Sequence, residues 1–250
     1  VDSNGCLDLE QLATAITDQT LMVSVMHANN EIGVIHPIAK IGALCKERGA
    51  LFHTDATQSF GKEPIDVNMM EIDLLSASGH KIHGPKGIGV LYVRRRNPRV
   101  RCEPLIYGGG HERGLRSGTL NVPSIVGMGV ASTFPPDDEV RRMRDQLEYG
   151  ICSQLEGVDI NGHRTQRLAN TTNLSFRGVN GDELMKRMPD IALSSSSACT
   201  SALLQPSYVL GAIKCSEERI AGSVRFSLGR FNTSKEIEVA TERVVESVKA

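Results

Sequence analysis

Tryptophan is absent from the chain, and aromatic residues make up only 4% of it. Single-strand nucleic-acid binders stack bases on aromatic rings, so that class has little to build on here. An excess of charge of either sign is also missing, since 28 Lys and Arg against 29 Asp and Glu leave a net charge of -1. Such a balance draws in neither nucleic acid nor an anionic membrane. No apolar run approaches the roughly 20 residues of a membrane span, and no signal-peptide pattern follows Val1. The six cysteines (Cys6, Cys45, Cys102, Cys152, Cys199, Cys215) form no Cys-x-x-Cys pair and have no histidine at zinc-ligand spacing. A bound metal is therefore not expected, and thiols in a reducing compartment fit better than a disulfide framework. The expectation is a soluble protein of about one to two domains over its 250 residues.

What is present alternates. Asp8 to Ile16 carries Leu9, Leu12, Ala13 and Ile16 at helical spacing, and Leu21 to Ala28 is a short apolar run suited to a buried strand. Pro37 to Arg48 is predicted to be a helix, started by proline and stopped by Gly49, with Leu51 to Asp55 a strand after it. Leu74 to Ala77 and Ile88 to Val93 add further strands. This alternation predicts an α/β fold with a mostly parallel sheet, in which ligands collect at the carboxyl ends of strands. Polar clusters fall at those ends: Asn29-Asn30-Glu31-Ile32-Gly33 after one strand and Asp55-Ala56-Thr57-Gln58 after another. Each alone could be a capped turn. Together they point to the edge that also holds Lys81.

Lys81 stands in Ser76-Ala77-Ser78-Gly79-His80-Lys81-Ile82-His83-Gly84-Pro85-Lys86-Gly87-Ile88-Gly89, a turn between two strands. The small residues before it let a flat ligand approach the backbone, and a desolvated lysine amine can attack a carbonyl cofactor. A solvated loop charge is the plainer alternative. Gly79 to Gly84 has the glycine spacing of a Walker A loop, but Pro85 stands where that loop needs its lysine.

Further along, Arg94-Arg95-Arg96-Asn97-Pro98-Arg99-Val100-Arg101 holds five arginines, either a solvated strand end or a docking face for an acidic partner. Gly108 to Thr119 is a polar, glycine-rich connection of the length that usually has a function. Phe134-Pro135-Pro136-Asp137-Asp138 is the candidate boundary, dividing 1–133 from 134–250. Beyond it, helices are predicted over Glu139 to Leu155, Asp182 to Met188 and Ser234 to Val248, and strands over Asn173 to Phe176, Ile191 to Leu193 and Val224 to Leu228. That pattern suggests a smaller α+β domain. Thr233 and Glu236 have the spacing of a capping box. Four serines precede Cys199, and a segment so small and polar makes a poor core element, which favours a reactive thiol there. Arg225 sits inside an apolar strand and needs a partner, either an ion pair within the fold or a bound carboxylate.

Ser78-Gly79-His80-Lys81 with Gly84-Pro85-Lys86-Gly87-Ile88-Gly89, and Ala198-Cys199-Thr200-Ser201-Ala202 with Gln205 to Leu210, resemble cysteine desulfurases. These are the NifS/IscS-like branch of the fold-type I, class-V aminotransferase-like enzymes. The resemblance implies pyridoxal 5'-phosphate bound through Lys81, with Asp55 on the pyridine nitrogen, Gln58 and Asn30 near the ring oxygen, and Ser78 and His80 on the phosphate. It implies that residues 1–133 are part of a large cofactor-binding domain, and that 134–250 form the small domain carrying Cys199. Cys199 would take sulfur from L-cysteine as a persulfide, leaving L-alanine, and Arg225 would clamp the substrate carboxylate, with Asn30 also on the substrate. A homodimer follows, with Thr119 completing the partner subunit's phosphate site, as does an acceptor such as an iron-sulfur scaffold. The compartment implied is the cytoplasm, or the mitochondrial matrix in a eukaryote. Ser196 stands where the family usually has Gly or His, a change expected to be tolerated. The family's amino-terminal part, with its ring-stacking histidine and Thr-rich phosphate loop, has no counterpart here. Two alternatives remain at this point: a transaminase or selenocysteine lyase of the same fold, or an incomplete piece acting only as a binding subunit.

Overall fold

A computed structural model describes residues 1–134, 138–195 and 206–250. The chain folds as two compact units, one of residues 9–27 and 37–136, the other of 1–8, 28–36 and 137–250. The sequence pattern puts 1–8 and 28–36 in the amino-terminal domain; in the structure they pack with the carboxyl-terminal residues. Of the boundary segment, 135–137 lies outside the described residues.

The first unit is built on a four-stranded sheet of order β1-β2-β3-β4, comprising Met22–Met26, Leu51–Asp55, Leu74–Ser78 and Gly89–Val93. β1, β2 and β3 run parallel, and β4 returns antiparallel to β3. Helix α1 (Leu9–Ala15) precedes the sheet. Helix α2 (Ile38–Arg48) follows Pro37, buries Ile38, Ile41 and Cys45, and ends at Gly49, whose φ of 72° closes the last turn. Fully buried Phe52 and Ile72, with Leu74 and Leu75, form the core of this unit. Helix α3 (Val122–Ser132) opens at Asn121, whose side chain accepts from Ser124 N, with proline in its first turn.

The second unit has an antiparallel sheet of order β5-β6-β8-β7. Its strands are β5 (Val158–Ile160), β6 (Thr171–Phe176), β7 (Ser194–Ser195) and β8 (Ser223–Ser227). Helices α4 (Asp138–Cys152) and α8 (Ser234–Lys249) supply Val140, Met143, Leu147, Ile151, Ile237 and Val244 to one core with Leu174, Phe176, Val224 and Phe226. Shorter helices are α5 (Gly181–Lys186), α6 (Tyr208–Ala212) and α7 (Glu217–Ala221). The capping box at Thr233 is formed, the hydroxyl accepting from Glu236 N and the Glu236 carboxylate accepting from Thr233 N. The strand expected at Ile191 to Leu193 instead pairs at Ser194–Ser195, because the ladder with β8 sets Ser194 opposite Arg225. β5 and α7, three and five residues long, carry too little periodicity to be read from sequence.

Candidate functional site

Asp55 ends β2, directly opposite Ser76 on β3 and Met26 on β1. Its Oδ1 accepts from Thr57 N at 2.8 Å, which bends the chain into the turn that carries Gln58. Two residues earlier on the same face, His53 Nδ1 lies 2.7 Å from Ser24 Oγ and Nε2 lies 3.3 Å from Ser76 Oγ. His53 therefore ties β1, β2 and β3 together beneath Asp55. Sequence reasoning misses it, although its position two before Asp55 on a strand is the signal that would find it.

β3 runs into a 3-10 turn over Gly79–Ile82, which holds His80 and Lys81. Gly79 N donates to Ile88 O at 3.0 Å, and a Cβ at residue 79 would come within 2.8 Å of Ile88 Cγ2. Only glycine lets β4 fold back this closely. Ser78 Oγ and His80 Nδ1 are 2.7 Å apart, and His80 is exposed. Thus Asp55, Gln58, Ser78, His80 and Lys81 follow or end two adjacent parallel strands of one unit. Thr119, in the same unit, is exposed in the connection before α3, after a segment in which Glu112 and Arg113 take positive φ.

Asn30 and Arg225 belong to the other unit. From β8, Arg225 Nη1 donates to Asn30 O at 2.7 Å and Nη2 to Ser194 Oγ at 3.1 Å, while its buried Nε has no partner among the described residues. Next to Asn30, buried Glu31 accepts from Ser207 Oγ at 2.5 Å. Burial pushes the Glu31 carboxyl up, against the opposing pull of the Ser207 hydrogen bond and the Arg225 charge. Cys199 lies outside the described residues. The other five cysteines are free thiols, and burial pushes Cys45 up to about 11 and raises Cys6, Cys152 and Cys215. A thiol so raised is a poor nucleophile near neutral pH.

One arginine of the basic run is not at the surface. Arg94 is buried, with Nε 3.1 Å from Asp73 Oδ1 and Nη2 donating to Ile72 O at 2.8 Å. Arg95, Arg96 and Arg99 remain exposed and line a cavity of about 600 Å³.

Residues 1–239 match the class-V aminotransferase family. The chain belongs to that family. Among curated relatives of this class-V aminotransferase chain is the cysteine desulfurase IscS of Rickettsia prowazekii, 52% identical over 254 residues that cover 99% of this chain and 62% of the relative. The IscS of Histophilus somni is also 52% identical, with the same coverage. The chain thus spans about three fifths of the length of these relatives. An X-ray structure of a NifS-like protein from Rickettsia africae superposes on the whole chain and on 69% of its own, with a TM-score of 0.89 at 32% identity. The α/β fold is that of the NifS-like proteins.

Proposed function

We propose that this chain is part of a pyridoxal-phosphate-dependent cysteine desulfurase that converts L-cysteine to L-alanine and carries the sulfur on Cys199. The observation that supports this most is the set of groups at the ends of β2 and β3. A carboxylate, an amide, a hydroxyl paired with an imidazole, and a lysine on a glycine-framed turn are the donors and acceptors that a phosphorylated pyridine aldehyde needs. When bound, the cofactor supplies an electron sink for charge developing at the substrate Cα.

The chain's own residues do the rest. Asp55 would hold the proton on the ring nitrogen, Gln58 and Asn30 would orient the ring oxygen, and Ser78 and His80 would take the phosphate, a site that Thr119 of the partner subunit would complete in a homodimer. Lys81 Nζ would hold the cofactor covalently and would move the substrate Cα proton. Arg225, with one guanidinium nitrogen unpaired among the described residues, takes the substrate carboxylate, and Asn30 assists. The Cys199 thiolate accepts sulfur as a persulfide, so one cysteine and one thiol give one alanine and one persulfide. From there an acceptor such as an iron-sulfur scaffold takes it, with exposed Arg95, Arg96 and Arg99 as a face for acidic groups. The cytoplasm or the mitochondrial matrix would supply the reduced thiols that this requires.

The test uses Cys199→Ser with pyridoxal phosphate and L-cysteine. Borohydride and peptide mapping should still place the cofactor on Lys81, while alanine and persulfide fall to background. Alanine and sulfide at the parental rate would move the chain to the alternative of a transaminase or selenocysteine lyase of the same fold, and an adduct on Lys86 instead would remove Lys81 from its role.

A further inference from the structure

A second lysine stands in the turn after β2, and the chemistry above leaves it unused. Lys62 follows Gln58 by four residues, and its Nζ donates to the Gln58 carbonyl at 3.1 Å. Gly61, immediately before it, has a φ of +72°, and a Cβ there would come within 3.0 Å of Ile82 Cγ2. The Gly61-Lys62 backbone is therefore pressed against the turn that carries Lys81. Both turns leave the carboxyl ends of adjacent parallel strands, so the two lysines belong to one neighbourhood.

The Lys62 side chain is partly withdrawn from solvent. Burial first, and the Lys81 charge second, bring its ammonium down from 10.5 to about 8. Among the described residues Lys81 is the one charged group that acts on it. The Lys81 ammonium thus disfavours a second ammonium at Lys62. When Lys81 loses its charge, Lys62 takes up a proton more readily.

We propose that Lys62 is a positioning residue for Lys81, a proton acceptor in the adjoining turn that takes up the proton Lys81 sheds on bonding to an aldehyde. This rests on the cofactor assignment proposed above. Above about pH 8, where Lys62 has lost its own proton, a charged Lys81, an uncharged Lys62 and one aldehyde give a carbon-nitrogen double bond at Lys81, a charged Lys62 and one water. No electrons are gained or lost, and the proton ends on Lys62 Nζ rather than in bulk solvent. Its tie to the Gln58 carbonyl keeps that nitrogen in the turn while the charge changes hands.

Two measurements on the whole chain test this, with circular dichroism confirming that each variant folds. In the cofactor-free protein, limited acetylation from pH 6 to 11 with peptide mass mapping should give Lys62 a reactivity midpoint near 8, and Lys81→Met should move it upward. An unmoved midpoint would overturn the coupling. With pyridoxal phosphate added at pH 8 in weak buffer, the parent should release fewer protons per borohydride-trapped Lys81 adduct than Lys62→Arg, whose guanidinium cannot accept one. Equal release would overturn the acceptor role, since a residue that only supports the turn changes no proton count. If the parent forms no Lys81 adduct at any pH, the cofactor assignment fails, and the acetylation result alone decides whether the two lysines are coupled.

Discussion

A buried amine costs a folded chain stability only while it carries charge. Lys62 binds its proton less tightly folded than unfolded, because its value falls from 10.5 to about 8. The penalty is complete below about pH 8 and is relieved as pH rises toward 10.5, the window in which the unfolded chain binds more protons. Lys62→Met should therefore stabilise the protein at pH 7 by about 1–3 kcal/mol, after the loss of one hydrogen bond to Gln58 O. The gain should shrink steadily between pH 8 and 10.5, read from urea midpoints across that range. A gain independent of pH would show that packing, not charge, is responsible.

Among the elements, α4 and α8 are held in different ways, and their weakest points differ accordingly. α4 carries the buried Arg144 and Glu148, with Glu148 Oε1 2.6 Å from Arg167 Nη2 and Arg144 Nη1 donating to Leu168 O at 2.7 Å. Desolvation lowers the Arg144 value in spite of its Asp145 hydrogen bond, a sign of how dry this cluster is. Glu148→Ala leaves the Arg167 guanidinium buried without its carboxylate and should cost about 3–5 kcal/mol. Thr233→Ala removes only the exposed capping box at the start of α8 and should cost about 1 kcal/mol. Thermal denaturation of both variants checks the order, and equal shifts would mean that the buried pair contributes little.

For the molecule as a whole, charge and exposed apolar surface govern how copies behave together. The net charge is -1 and the pI about 6.7, so near neutrality little repulsion keeps molecules apart. Val122, Ile125, Val126 and Val130 on α3, and Val90 and Leu91 on β4, are exposed. Solubility should pass through a minimum near pH 6.7 and improve by pH 8.5, measured by light scattering at fixed protein concentration. At this scale the candidate residues also divide: Asp55, Gln58, Ser78, His80 and Lys81 fall in one compact unit, and Asn30 and Arg225 in the other.

The features legible along the chain were local. Proline and glycine punctuation bounded α2, apolar runs marked β1 to β4, the Thr233–Glu236 spacing marked the start of α8, and glycines marked the turn between β3 and β4, because each signal lies within a few residues of its effect. Tertiary structure decided what depends on segments far apart in the chain. Strand pairing moved β7 to Ser194–Ser195, and residues 28–36 joined the unit of residues more than a hundred positions away. Desolvation sorted the ionisable groups in the same way: Arg94 left the basic surface to pair with Asp73, and Lys62 was brought against the Lys81 turn. A side chain's solvation depends on which distant atoms displace its water, and periodicity along the chain carries no record of that.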